Sequence, residues 1–131
     1  SFKLFLLDCG LLGAMSETPP EKLLVAENGM EESKGAFTEN YVMSQLVATH
    51  DTSVFYYSND AKLEIDFLIQ HGNEIVPIEA KAEENLRAKS LSTFVASHSE
   101  MHGLRFSMSD YRVQDWMTNV PLYAITSYFL P

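Results

Sequence analysis

The order of apolar and polar positions predicts a layered α/β or α+β domain around one mixed sheet. Short apolar or alternating runs predict strands over 2–7, 53–57, 63–70, 74–82, 104–108 and 120–124. Apolar residues at helical spacing predict helices over 37–50, 88–98 and 125–130, with a shorter one over 11–15. Between the helices over 11–15 and 37–50, the polar stretch 16–35 predicts an excursion of the chain on the surface.

The clearest local prediction is a β-hairpin that turns at Gly72-Asn73, a pair favoured in two-residue turns. A proline lacks the ladder donor, so Pro77 introduces the alternative of a bulge that shifts the register by one. Without a bulge, the apolar residues of the hairpin share one face: Ile65, Phe67, Ile69, Val76, Ile78 and Ala80. The other face then pairs Leu68 with Pro77, Asp66 with Glu79, and Glu64 with Lys81.

Two acidic side chains, Asp66 and Glu79, meet on the polar face of this predicted hairpin. Like charges directly across a ladder destabilise it, so we expect a cation, a neighbouring basic residue or full solvation to offset the repulsion. Mg²⁺ suits such a pair, because it takes one or two protein carboxylates and fills its shell with water and phosphate oxygens. Lys81 lies two residues beyond Glu79 and points to the same side, where its ammonium would orient a water or stabilise negative charge.

A simpler interpretation of these charges stays open. Charged residues are typical of the solvated face of a half-buried sheet, with Glu64 and Lys81 forming an ordinary ion pair. Glu39 helps to choose between a metal site and a solvated face, because it lies beside the apolar stripe of the helix over 37–50. A first-turn acid favoured by the helix dipole would account for Glu39 by itself. A helix acid, then Asp66, twelve residues and Glu79-x-Lys81, is more specific than any of these parts alone.

This constellation resembles the PD-(D/E)xK nuclease superfamily. The resemblance implies a restriction-endonuclease-like, three-layer α/β fold with a central mixed sheet and a core of helix, three-stranded meander, helix and strand. Asp66 matches the motif aspartate, Glu79 and Lys81 match the (D/E)xK pair, and Glu39 matches the helix glutamate that many members carry. The implied catalytic residues are Lys81, Asp66 and Glu79, and the implied ligands of Mg²⁺ or Mn²⁺ are Asp66, Glu79 and Glu39.

A second resemblance covers nearly the whole chain, which we therefore predict to be one domain over 1–131. The chain is similar to DUF4143, a C-terminal domain of unknown function that follows an AAA+-type ATPase module in many bacterial and archaeal proteins. The matching stretches are FLLDCGLL (5–12), GAFTENYV (35–42), LEIDF (63–67), PIEAK (77–81), KSL (89–91) and VPLYA (120–124). The resemblance implies a fragment of a longer ATPase, with the AAA+ module as its partner. The stretch 58–61 departs from the family, which often has a basic residue and a glycine there.

Charge and cysteine content restrict the function classes. The 131 residues carry 18 Asp and Glu against 9 Lys and Arg, a formal net charge of −9. This balance argues against a strongly basic nucleic-acid binder and against a binder of anionic membranes, so we expect DNA or RNA to bind weakly. The single cysteine excludes an intrachain disulfide and suits a reducing, cytoplasmic setting. No P-loop motif occurs, so we expect no ATP site of that kind.

Two function hypotheses follow from these observations. The first is a metal-dependent nuclease domain built on the acidic residues and Lys81. The second is a catalytically silent docking or oligomerisation module of the ATPase, with an interface supplied by aromatic residues of the stretch 110–131. Packing in the core is the more ordinary explanation of those aromatic residues, and that alternative stays open.

Overall fold

The computed structural model describes residues 2–17, 19, 31–49, 53–60, 62–82 and 88–129, and in the longest helix it describes side chains from residue 34 onward. The helices are α1 (Cys9–Met15), α2 (Glu31–Thr49), α3 (Lys89–Ser97) and α4 (Ile125–Phe129). The strands are β1 (Phe55–Ser58), β2 (Glu64–His71), β3 (Glu74–Ala80), β4 (Gly103–Ser107), β5 (Arg112–Val113) and β6 (Met117–Pro121). Most of the predicted surface excursion, residues 20–30, lies outside the described part.

The six described strands form one mixed sheet in the order β1-β2-β3-β4-β6-β5. The first three make an antiparallel meander, β3, β4 and β6 run parallel, and β5 is antiparallel to β6 at the edge. Parallel neighbours need a crossover connection, and the connection from β3 to β4 contains α3. Helices pack on both faces of the sheet, which confirms the predicted three-layer α/β fold with a central mixed sheet.

One apolar cluster on each face of the sheet fixes these layers. On one face, Val42 and Leu46 of α2 and Ile125 of α4 pack against the central strands, and each is at most 1% exposed. On the other face, Leu91 and Phe94 of α3 pack against the sheet. Burying each such side chain stabilises the fold by about 1.5–3 kcal/mol. Within the described residues, no helix has both the length and the apolar character needed to cross a membrane.

The contact between α3 and β4 depends on a glycine. A Cβ added at Gly103 would lie 3.1–3.3 Å from three side-chain carbons of Leu91, which is itself fully buried. Because the leucine has little room to move, we expect Gly103→Ala to lower the free energy of unfolding by about 1–3 kcal/mol, the usual cost of overpacking. Urea denaturation measures this change.

The matched control for that variant is Gly35→Ala, a glycine of α2 whose added Cβ would meet no atom within 4 Å. Alanine favours the helical conformation, so this variant should keep or slightly raise the stability. Equal changes in the free energy of unfolding for the two variants would show that the contact between α3 and β4 has room for an added methyl group.

The hairpin of β2 and β3 has the predicted turn over 72–73 and the predicted register. Pro77 lies opposite Leu68 and Phe67 lies opposite Ile78, so the proline does not shift the pairing. The glycine of the turn has a φ of 61°, in the left-handed region that favours this residue.

An irregularity near the start of β2 changes the predicted faces. The pairing with β1 shifts between Phe55↔Leu68 and Tyr57↔Ile65, so two residues of β2 lie opposite one residue of β1. As a result, Ile65 packs in the cluster under α3, whereas Phe67 packs in the cluster under α2. The prediction that all six apolar hairpin residues share one face is therefore wrong at Ile65, because an extra residue reverses the alternation.

Two predicted strands are also corrected. Residues 2–7 form no strand, because the backbone of Leu6 bonds to a side chain and not to a neighbouring strand. Its N–H donates to Asn40 Oδ1 at 2.7 Å, and its carbonyl accepts from Asn40 Nδ2 at 3.2 Å. The last long strand spans Met117–Pro121 and not 120–124, because a short 3-10 turn follows it.

Candidate functional site

The four residues predicted for the site line one polar cavity of about 400 Å³, at the start of β2 and the end of β3. The helices α2 and α3 border the same cavity through Gly35 and Ser90. Its charged lining residues are Glu39, Glu64, Asp66, Glu79 and Lys81. The fold therefore brings residues from a helix and two strands, far apart in the chain, to one opening.

Asp66 lies where the β2–β3 ladder stops. The register ends at the pair Phe67 and Ile78, one step before the predicted pairing of Asp66 with Glu79. Beyond that pair, Asp66 Oδ2 accepts a hydrogen bond of 2.8 Å from the backbone N–H of Ala80. The carboxylate of Asp66 thus accepts the N–H of Ala80. If the ladder continued, that N–H would donate to a backbone carbonyl of β2. Asp66 and Glu79 meet in the cavity and not as ladder partners, which corrects the predicted pairing.

The environment of Asp66 disfavours its charge. Burial raises the pKa of Asp66 to about 6, with a further contribution from the charges of Glu39 and Glu79. The N–H of Ala80 and the ammonium of Lys3 act in the opposite direction on this pKa. A cation placed in the cavity would favour the ionised form of Asp66.

Glu79 supplies an oxygen that lacks a donor. The residue is 8% exposed, and its Oε1 lies 3.3 Å from Lys81 Nζ. Its Oε2 is buried and has no hydrogen-bond partner among the described residues. Burial raises the pKa of Glu79, while the charges of Lys81 and Arg105 oppose the rise. Leaving a buried acceptor unpaired costs about 1–3 kcal/mol, and a hard divalent cation is a partner of suitable chemistry for it.

A lysine that the sequence analysis did not single out lies among the acidic residues. Lys3 Nζ is 2.7 Å from Glu64 Oε1, 3.4 Å from Glu39 Oε2 and 3.9 Å from Asp66 Oδ1. It also lies 5.7 Å from the centre of the Tyr56 ring. Burial lowers the pKa of Lys3, but the hydrogen bond to Glu64 and the nearby carboxylate charges together raise it, so the ammonium stays charged.

These contacts decide two alternatives left open by the sequence. Glu64 forms an ion pair with Lys3, whereas Lys81 forms one with Glu79. The alternative ion pair between Glu64 and Lys81 is therefore wrong. The helix α2 begins at Glu31, which places Glu39 in its third turn. The helix-dipole explanation of Glu39 is therefore wrong, because the dipole acts on charges in the first turn.

A buried polar network lies behind Glu79 on β4 and β6. Arg105 is 1% exposed, lies opposite Glu79 in the parallel register and donates through Nε to Asn119 Oδ1 at 2.8 Å. The same Oδ1 accepts from Ser107 Oγ at 2.7 Å. The Nδ2 of Asn119 donates to two backbone carbonyls of the loop after β4, at 2.9 and 3.1 Å. The network holds a positive charge beside the buried acid of β3.

The residues of the cavity fit a divalent cation by donor type. Carboxylate oxygens are the ligands that Mg²⁺ and Mn²⁺ prefer, and Glu79 Oε2 is a buried oxygen in need of a partner. As the side chains stand, no three His, Cys, Asp or Glu of the described residues are gathered into a metal-binding group. Three of the four acids have the ammonium of Lys3 within 4 Å.

Comparison with known proteins places these residues in a family. No curated protein matches this chain closely enough to count as a relative. A family model described as a domain of unknown function, DUF4143, matches residues 34–125, which is more than half of the chain. The matched range contains Glu39, Asp66, Glu79 and Lys81, whereas Lys3 precedes it. The chain belongs to the DUF4143 family of domains of unknown function.

Proposed function

We propose that this domain is a metal-dependent phosphodiester hydrolase that acts on nucleic acid with Mg²⁺ or Mn²⁺. The observation that carries the proposal is the cavity in which Asp66, Glu79 and Lys81 meet, with Glu79 Oε2 buried and unpaired among the described residues. The resemblance of these residues to the PD-(D/E)xK nucleases supports the same assignment.

Each residue has a role in this proposal that follows from its contacts. Asp66 and Glu79 would hold the metal, with Glu39 as a further ligand, and the N–H of Ala80 fixes the orientation of Asp66. The ion, when bound, polarises the phosphate and activates a water. Lys81 keeps its ammonium 3.3 Å from Glu79 with its side chain 38% exposed, so it reaches solvent at the cavity. From there it would orient the attacking water and stabilise negative charge on the phosphate.

The charge balance bears on how substrate would be held. The chain has a formal net charge of −9, whereas tight binding of nucleic acid usually neutralises several phosphates with Lys and Arg. We therefore propose that this domain binds DNA or RNA weakly by itself. An AAA+-type ATPase module in the same cytoplasmic protein would supply the remaining contacts, as the family resemblance implies.

A cleavage assay tests this function. Single- and double-stranded DNA and RNA are incubated with the full-length protein in Mg²⁺, Mn²⁺ or a chelator. We expect hydrolysis that needs the metal and that is about 10²-fold slower in Lys81→Met, because one group that stabilises the developing charge is lost. The matched control is Lys62→Met, which removes the same charge from an exposed lysine outside the cavity lining. Cleavage that survives the chelator, or equal rates for Lys81→Met and the control, would contradict the proposal.

A second candidate function is the silent docking or oligomerisation module. An apolar cavity of about 540 Å³ opens at the carboxyl ends of β4 and β6. Tyr123 and Met108, which line it, are 83% and 66% exposed, and large exposed apolar side chains mark interaction surfaces. Of the other aromatic residues predicted for an interface, Trp116 and Phe129 pack against the core clusters. Failure of every tested nucleic acid to be cleaved, with concentration-dependent association in sedimentation experiments, would favour this function.

A further inference from the structure

The N-terminal segment, residues 2–8, is anchored beside the cavity by contacts that do not involve the sheet ladder. Both backbone groups of Leu6 bond to the side-chain amide of Asn40, which is 2% exposed. The ring of Phe5 lies 5.6 Å from the ring of Phe67. These contacts hold the segment against α2 and β2.

Before this anchor in the chain, the segment carries Lys3, whose ammonium contacts acidic residues of the cavity. Lys3 Nζ lies within 4 Å of oxygens from Glu39, Glu64 and Asp66. Two of these acids are the same ones that the proposed metal needs. An ammonium and a divalent cation at the same oxygens repel each other strongly in a partly buried site, so the two states exclude one another.

We propose that Lys3 is an internal cation that competes with the divalent metal for Asp66 and Glu39, and that the N-terminal segment thereby sets the metal affinity of the cavity. This inference rests on the proposed function, because it concerns the regulation of the same site. Glu79 remains open to the incoming ion, since its Oε2 has no partner among the described residues. Full coordination requires the ammonium of Lys3 to leave.

The neighbours of Lys3 make this departure inexpensive. Phe2 and Leu4, on either side of Lys3, are 85% and 80% exposed, so a shift of these residues costs little apolar packing. The contacts of Phe5 and Leu6 lie further along the chain and are independent of where the ammonium sits. The lysine can therefore leave while the anchor stays in place.

Calorimetric titration with Mn²⁺ tests the competition. We expect Lys3→Met to bind Mn²⁺ about tenfold more tightly than the wild-type chain, as when the lysine blocks the site in nine of ten molecules. Lys3→Arg keeps the charge and should stay near the wild type. Lys62→Met should also stay near the wild type, because that lysine forms no ion pair with any described residue and lies outside the cavity lining. Equal affinities for Lys3→Met and the wild type would overturn the inference and leave the metal site standing.

A second measurement follows the lysine itself. Amine labelling read by mass spectrometry should show Lys3 reacting several-fold faster in saturating Mg²⁺, with Lys62 unchanged. A constant Lys3 rate in a chain that binds Mn²⁺ would overturn the inference alone. Absence of Mn²⁺ binding in both the wild type and Lys3→Met would overturn the inference together with the proposed metal site.

Discussion

Replacing Asp66 with asparagine is expected to stabilise the fold above neutral pH while it removes the proposed metal-dependent activity. Burial raises the pKa of Asp66 from 3.8 to about 6 in the folded state. Because the folded pKa lies above the unfolded one, the folded state binds the proton more tightly. Stability is therefore lost as the pH rises from about 4 to about 6, and the loss is complete above the folded value. Asparagine is neutral and still accepts the hydrogen bond of Ala80. We expect a gain of about 3 kcal/mol near pH 8, because a rise of the pKa from 3.8 to about 6 costs about 1.4 kcal/mol for each pH unit.

Urea denaturation at several pH values measures this gain. It should shrink as the pH falls below about 6 and vanish below about pH 3, where the wild-type carboxyl is protonated in both states. Under the proposed function, hydrolysis by the same variant should fall at least about 10³-fold, because a proposed metal ligand and its charge are lost. Asp60→Asn, at an exposed turn, is the matched control and should change neither property. A loss of stability in Asp66→Asn would show that the ion pair with Lys3 outweighs the cost of burial.

The largest loss of stability is expected for Asn119→Ala. The side chain of Asn119 accepts from Arg105 and Ser107 and donates to two carbonyls of the loop after β4. Its removal leaves a buried guanidinium and several other polar groups without these partners, each at a cost of about 1–3 kcal/mol before relaxation. We expect the free energy of unfolding to fall by about 3–4 kcal/mol, with water entering to satisfy part of the network.

The control for this variant is Thr93→Ala. Thr93 is exposed, and its hydroxyl bonds to Lys89 O within its own helix, so the change should stay within about 0.5 kcal/mol. Denaturant midpoints of the two variants give the comparison. A loss below about 1 kcal/mol for Asn119→Ala would mean that the network contributes little to folding.

Patterns of residues close together in the sequence predicted the turn, the hairpin register and the main helix, because contacts between near neighbours determine these features. The turn over 72–73 and the strict alternation around it were enough for the register of β2 and β3, including the pair Leu68 and Pro77. The helix over 37–50 was predicted from its apolar stripe, although α2 starts earlier, at Glu31. The spacing of Asp66, Glu79 and Lys81 brought three residues of one cavity together, because a hairpin converts short sequence distances into proximity.

Features that depend on distant contacts could not be predicted from such patterns. The apolar run over 2–7 has the composition of a strand, but the amide of Asn40 takes the backbone bonds that a sheet would supply. The same long-range contact places Lys3 within 4 Å of three acidic residues of the cavity, and no motif in the sequence indicates it. The two-residue strand β5 is too short and exposed for an apolar pattern to mark it. The one signal available for the network was Arg105, a charge between the apolar residues Leu104 and Phe106.

The hydrogen bonds between Leu6 and Asn40 have a kinetic consequence for the cavity. Lys3 lies three positions before Leu6 in the chain, so a released ammonium travels no further than about 10 Å of backbone plus its own side chain. A charge on so short a tether keeps a high effective concentration at the acids it left. In the proposed exchange, its return would be a unimolecular step that does not depend on protein concentration. Each time the metal dissociates, the ammonium of Lys3 would thus return to the same acidic residues without the help of another molecule.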